Sequence, residues 1–270
     1  MARVVKGGVQ PFTGTLGDVT YYTIQGSETV YVRKTGGPSK KMIKTSPRFD
    51  VVRRNNSEWV GCTRLARMIR NAYGEVKSVE DYPVIGTLNG LSKKIQQTDT
   101  KSELGKRGLF LTKNKPLLTG FNLSRKQVLE SVLRVPITAS IERISGVATV
   151  TIPTIVTALH LYNFRKLPYF RISINLGGIS DVAFSDEKAE FQSIQKTFRH
   201  HSFSHKEQWL PTHGTIEEQT CSLQYHEQAT PVSENVTLIV TVGVEFGTIG
   251  IDGKPTLVKY AGCGKIICIE

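Results

Sequence analysis

No run of apolar residues in this 270-residue chain approaches the roughly 18 to 20 that a membrane-spanning helix needs, so no membrane span is expected. The opening Met1-Ala2-Arg3-Val4-Val5-Lys6-Gly7-Gly8 lacks the apolar stretch of a secretory signal, and synthesis in a cytoplasm is the expectation. Cysteine is sparse. Cys62, Cys221, Cys263 and Cys268 form no C-x-x-C pair and no regular framework, which suits thiols in a reducing compartment. A Cys263–Cys268 disulfide, or zinc shared with a histidine, stays open as a minor alternative, although the usual ligand spacing is absent. Phosphate-loop and dinucleotide fingerprints are missing, so Gly14, Gly17, Gly36 and Gly37 read as turn glycines. No G-x-S-x-G elbow accompanies a histidine and an aspartate in triad order. Neither an enzyme nor a cofactor is expected.

What is present is an ordinary globular composition, 39% hydrophobic and 21% charged, which argues against wholesale disorder. The charge is divided unequally. Residues 1–134 carry 24 Lys and Arg against 10 Asp and Glu, whereas residues 135–270 carry 11 against 13. A basic half that meets something acidic, beside a near-neutral half that folds for its own sake, follows from that split.

Along the chain, Val19–Ile24 and Thr29–Arg33 are rich in β-branched and aromatic residues and flank a short glycine-containing connection, so a β-hairpin is expected. A two-stranded hairpin is marginal alone and has to pack on something else. Lys34–Lys44, punctuated by Gly36, Gly37 and Pro38, reads as an extended basic arm. A helix follows, with Ser46 as N-cap and Pro47 in its first position. Val51, Val52, Trp59, Cys62, Leu65, Ala66, Ile69, Ala72 and Tyr73 fall on one arc of it, and Arg53, Arg64 and Arg67 lie opposite. Gly61 inside it signals a break or a close contact. One or two short helices are expected over residues 75–123, and a helix from Ser124 to Leu133 with Gln127 in the capping-box place. From Val135 the pattern changes to strands at 137–144, 147–152, 169–175, 236–246, 256–260 and 265–269, with a turn at Ile251–Pro255. Residues 185–214 read as a polar insertion with a short helix. The fold class is therefore α+β and mostly β: an N-terminal hairpin and helices, then an antiparallel immunoglobulin-like β-sandwich. The divisions are 1–45 for hairpin and arm, 46–134 for the basic helical region, and 135–270 for the sandwich.

The segment Phe12-Thr13-Gly14-Thr15-Leu16-Gly17-Asp18-Val19-Thr20-Tyr21-Tyr22, then Tyr31-Val32-Arg33, the Phe49/Arg53/Trp59/Ala66 helix and the late Val242–Gly247 strand resemble an uncharacterised protein family of Bacteroidota. The resemblance implies an N-terminal F-x-G-x-x-G-x-V hairpin and a C-terminal β-sandwich. Glycines and strand residues carry it, so it implies a fold and no reaction.

His200, His201 and His205, with His213 nearby, are the only cluster with ligand-type spacing, but no Glu follows the first His as in zinc proteases. They read as loop histidines, and Glu217–Glu218 as a solvated pair. The expected function is a structural protein that assembles with copies of itself, as a subunit of a phage virion or of a filament or tube. Phe12, Tyr21, Tyr22, Tyr31 and Arg33 of the hairpin would make the contact by extending a neighbour's sheet edge. Its final location would be the virion or the cytoplasm. The alternative partner is nucleic acid, met by Arg48, Arg53, Arg54, Arg64, Arg67 and Arg70.

Overall fold

The computed structural model describes residues 2–3, 13–24, 29–195, 202–206, 208–225 and 232–270. The chain divides into two compact units, Met1–Arg53 and Arg54–Glu270.

In the first unit, β1 (Ala2–Arg3), β2 (Gly14–Leu16), β3 (Val19–Thr23) and β4 (Val30–Lys34) form an antiparallel sheet in the order β1-β4-β3-β2. Leu16 pairs with Val19 across a two-residue turn, Gly17-Asp18, in which Gly17 takes a φ of 60°. Tight hairpin turns need that left-handed backbone, and glycine adopts it without steric cost. The β3–β4 hairpin lies where the sequence places it, but both of its edges are already paired, one by β2 and one by β1. The basic segment behind it is not an extended arm. Lys40–Thr45 is helical (α1), because the Ser39 hydroxyl accepts the Met42 N–H at 3.1 Å and starts the turn. Ser46, by contrast, caps nothing with its side chain; a single 3-10 turn, Pro47–Phe49, leads into α2 (Asp50–Ala72).

The second unit begins on α2. Its inner face buries Glu58, Gly61, Cys62, Leu65, Ala66, Ile69 and Ala72, while Val51, Val52 and Trp59 of the expected arc stay exposed. Gly61 is a close contact and not a break: an added Cβ would meet Phe191 at 2.8 Å and Leu109 at 2.9 Å. A 3-10 turn at Gly74–Val79, α3 (Val84–Gln97) and two further 3-10 turns carry the chain on, and α4 (Leu129–Val132) is a single turn. The longer helix expected from Ser124 is absent because the Ser124 hydroxyl bonds the Gln127 carbonyl instead of an N–H, closing a turn where a helix would open.

The strands then follow: β5 (Thr138–Glu142), β6 (Val147–Ile152), the short β7 (Ile155–Val156), one turn of α5 (Thr157–His160) and the long β8 (Tyr169–Ser180). A hairpin of β9 (Val182–Ser185) and β10 (Glu190–Ser193) precedes β11 (Ser202–Lys206), β12 (Leu210–Pro211) and β13 (Thr215–Ile216). The chain ends with β14 (Gln219–Gln224), β15 (Val236–Ile249), β16 (Pro255–Leu257) and β17 (Cys263–Ile269). The segment read as an insertion with a helix is thus made of strands among its described residues. Sheet β5-β6-β14 faces sheet β11-β8-β15-β17, all antiparallel, in the strand order of an immunoglobulin-like sandwich.

Two cores flank the larger sheet. Between the sheets, Ala148, Val150 and Ile152 of β6 meet Phe170, Ile172, Ile174 and Leu176 of β8 and Val240, Val242 and Val244 of β15. On the opposite face, Ile179, Ile239 and Ile266 pack with Cys62, Leu65, Ile69, Leu88 and Ile95. This second core draws on both sides of residue 134, so the change from helix to strand there divides secondary structure within one folded body. Glycines let the layers close: a Cβ on Gly177 would strike the Ala72 carbonyl, and one on Gly243 would strike Val76 at 2.7 Å. Asn175 Nδ2 donates to that same Ala72 carbonyl at 2.6 Å, satisfying one of the acceptors left open at the end of α2.

Candidate assembly surface

Strand alternation gives the N-terminal sheet two unlike faces. On one, Tyr22 and Tyr31 are a cross-strand pair with ring centroids 5.8 Å apart, and the Arg33 guanidinium lies 5.5 Å from the Tyr22 ring. Thr15, Thr20 and Thr35 continue the polar character as a ladder of hydroxyls at 3.1 Å. The other face carries Leu16, Val19, Tyr21, Val30 and Val32, as the pairings Leu16–Val19, Tyr21–Val32 and Thr23–Val30 require. None of these apolar side chains is buried, and Leu16 is 66% exposed. No described residue from Thr13 to Arg53 is buried, so among the described residues this four-stranded sheet has no core of its own.

The structure therefore brings Tyr22, Tyr31 and Arg33 together and places Tyr21 on the opposite side. Phe12 lies outside the described residues. The hairpin cannot add to a neighbour's sheet through its own edges, which β1 and β2 already occupy; the outer edges of the short strands β1 and β2 and the apolar face remain.

The six arginines expected to form one basic stripe have separate roles. Arg53 turns back on its own unit, donating to the Ile43 and Ser46 carbonyls at 2.8 and 2.9 Å and to Asp50 at 3.3 Å. Arg70 makes a two-pronged pair with Glu80, at 2.9 and 2.6 Å. Arg64 is half-buried, whereas Arg48, Arg54 and Arg67 are exposed.

Two buried carboxylates, Glu58 and Glu245, and the half-buried Glu80 were not anticipated. Glu58 is wholly buried and accepts from Arg107 through Nε and Nη2 at 2.7 Å each, from the Gly105 N–H at 2.8 Å and from Lys93 at 3.1 Å. Burial alone would raise its pKa; Arg107, the Gly105 N–H and Lys93 together outweigh it and bring the value down to about 2. Glu245, on β15, accepts from the Ser78 hydroxyl and from Arg171 Nε, whose guanidinium stacks 4.3 Å from the Trp209 ring. Glu80 accepts the Tyr73 hydroxyl at 2.6 Å, and burial with that bond pushes the phenol well above its ordinary range. Burial also raises the Cys62 thiol to about 11 and Cys263 to about 12. With these donors around them the three carboxylates act as ties within the fold, and thiols raised this far are poor nucleophiles at neutral pH. A signal for Glu58 existed in the sequence: a charged residue on the same helical arc as Cys62, Leu65 and Ile69.

Of the histidines, His213 is exposed, His205 belongs to strand β11 and not to a helix, and His200 and His201 lie outside the described residues. Glu217 and Glu218 are exposed. Cys62, Cys263 and Cys268 are free thiols. No protein-family model, curated protein or solved structure matches the chain.

Proposed function

We propose that this protein is a structural subunit that assembles with copies of itself through its N-terminal sheet, in a virion, a filament or a tube. One observation carries the reading: a four-stranded sheet whose apolar face, with Leu16 exposed and Val19, Tyr21, Val30 and Val32 half-buried, has no fully buried side chain among the described residues. Burying apolar surface is the main favourable term in folding, and a small sheet without it is marginal. A second copy supplies the missing layer, since a two-fold pairing of identical faces is self-complementary in apolar character.

Deletion of residues 1–45 is the test, because every buried side chain among the described residues lies at Glu58 or beyond. Light scattering of the full chain is expected to give a multiple of 30.0 kDa, and the deletion variant a folded monomer. Leu16→Asp with Val32→Asp is expected to act like the deletion. A full-length monomer at tens of micromolar, or an assembly that survives the deletion, sinks the reading.

A further inference from the structure

One end of the sandwich gathers three segments. The stretch before β5 is tied to the loop between β6 and β8 by Arg134 N–H to the His160 carbonyl at 2.8 Å and Tyr162 N–H to the Val132 carbonyl at 2.7 Å. That loop is tied in turn to the one leading into β17, through Arg165 Nη1 to the Lys259 carbonyl at 3.2 Å. Arg134, Arg165, Lys166 and Lys259 are all exposed here, and none joins an ion pair among the described residues. Aromatic rings are interleaved with them. The Arg134 guanidinium lies 5.5 Å from the Tyr162 ring and that of Arg165 lies 5.5 Å from Phe164. Tyr162 is 45% exposed and Tyr260, next to Lys259, 57%.

The backbone adds an independent observation. Among the described residues only Lys166, Ala189 and Tyr260 are non-glycine residues with positive φ, and Lys166 and Tyr260, at 52° and 57°, both belong to this crest. A bulky residue held left-handed costs free energy that glycine would spare, and such strain persists where it serves a site. At Tyr260 it presents an aromatic ring to solvent, where burial returns nothing. The acidic residues at this end are exposed Glu217 and Glu218, which precede β14, the outer strand of the three-stranded sheet, and exposed Asp252 in the turn between β15 and β16; no acidic residue occurs from 143 to 180 or from 253 to 269.

We infer that this crest binds single-stranded nucleic acid, the cations meeting phosphates and the rings of Tyr162 and Tyr260 stacking on bases. Cations alone would suit any polyanion, an acidic protein segment included. Exposed rings together with guanidinium planes, both of which stack on bases, favour a chain that alternates phosphate with flat heterocycles. The site uses none of the residues of the N-terminal sheet and none of the arginines of α2, and it does not depend on the assembly reading.

Fluorescence anisotropy of a labelled 20-nucleotide poly-dT with the full chain, titrated over salt, tests the inference. Binding that falls steeply with salt is expected, since each phosphate contact releases counterions. The triple change Arg165→Glu, Lys166→Glu, Lys259→Glu abolishes it, and Arg48→Glu, Arg54→Glu, Arg67→Glu leaves it in place. Tyr162→Ala weakens binding by roughly 5- to 150-fold, the range expected for loss of one stacked base. Tyr260→Gly also weakens binding while its melting temperature is unchanged or higher, because glycine relieves the positive φ; this separates a lost contact from a damaged fold. No binding by the unaltered chain, equal binding by the triple variant, or tyrosine variants that bind as tightly as the parent overturns the inference. The last outcome would mean that the crest is a surface for acidic partners in general.

Discussion

Replacing Glu58 by Gln keeps the shape of the most heavily bonded buried side chain and removes its charge. The glutamine presents one acceptor and one donor where Arg107, Lys93 and the Gly105 N–H all donate. Two cations then lose the partner that compensates their burial. Each tenfold change in proton affinity is worth about 1.4 kcal/mol, so lowering the carboxyl from its ordinary 4.5 to about 2 corresponds to about 3 kcal/mol at neutral pH. Breaking one side of a buried ion pair costs about 3 to 5 kcal/mol in general, in agreement. For a body of about 200 residues that is a loss of roughly 6 to 12 °C in melting temperature. Both tryptophans, Trp59 and Trp209, lie in the second unit, so urea unfolding followed by their fluorescence reports on the right body. The folded carboxyl holds its proton less tightly than the unfolded one. Its contribution is therefore complete above about pH 4.5 and is lost as the pH falls toward 2. The gap between parent and variant should close by about half at pH 3. A difference below about 1 kcal/mol at pH 7, or one that does not shrink in acid, refutes this account of the centre.

Other substitutions give results of opposite sign from one assay. Gly177→Ala is expected to destabilise by about 2 kcal/mol or more, since its methyl meets the backbone carbonyl of Ala72, which cannot swing aside. Gly90→Ala, exposed in the middle of α3 with nothing within 4 Å of the added carbon, should stabilise by about 0.5 to 1 kcal/mol; thermal unfolding that ranks the two the other way disproves the packing described. A thiol reagent at pH 8 should label half-buried Cys221 and Cys268 in the folded protein and reach Cys62 and Cys263 only on unfolding, read by mass spectrometry of the labelled peptides. Early labelling of Cys62 would mean that α2 does not seal the second core.

Strands β3, β4, β5, β6, β8, β15, β16 and β17 were legible in the sequence. β6, β8, β15 and β17 announced themselves because burial on one or both faces demands β-branched and aliphatic residues. β14 did not, since Gln219-Thr220-Cys221-Ser222-Leu223-Gln224 offers the core only Leu223 as a fully buried side chain and hides as a polar stretch. In α2 the periodicity identified the inner face, but periodicity cannot say how far along a helix the covering layer extends, and so Val51 and Val52 were assigned to a core that does not reach them. α1 was missed because its cap, Ser39, follows Gly36-Gly37-Pro38, whose own signal is a bend. The buried ionic centres depend on residues distant in sequence, such as Ser78 with Glu245 and Arg107 with Glu58, and a one-dimensional pattern contains no record of that meeting. Tyr22, Tyr31 and Arg33 were legible as a group, and only strand pairing could assign Tyr21 to the other face.

The central strands also set where this chain is free to change. In β6 every second side chain is open to water or partly so, and half its positions can drift without touching a core. Along β15 the first twelve residues are all buried, so neither parity is spared. Variation in a lineage of such proteins is thereby channelled into the outer sheet, the loop crest and the N-terminal unit, the last two being the surfaces proposed above to meet other molecules. A saturation-mutagenesis map would show the first twelve residues of β15 as an unbroken intolerant band and β8 as one interrupted at its partly open positions Tyr169, Arg171 and Gly178.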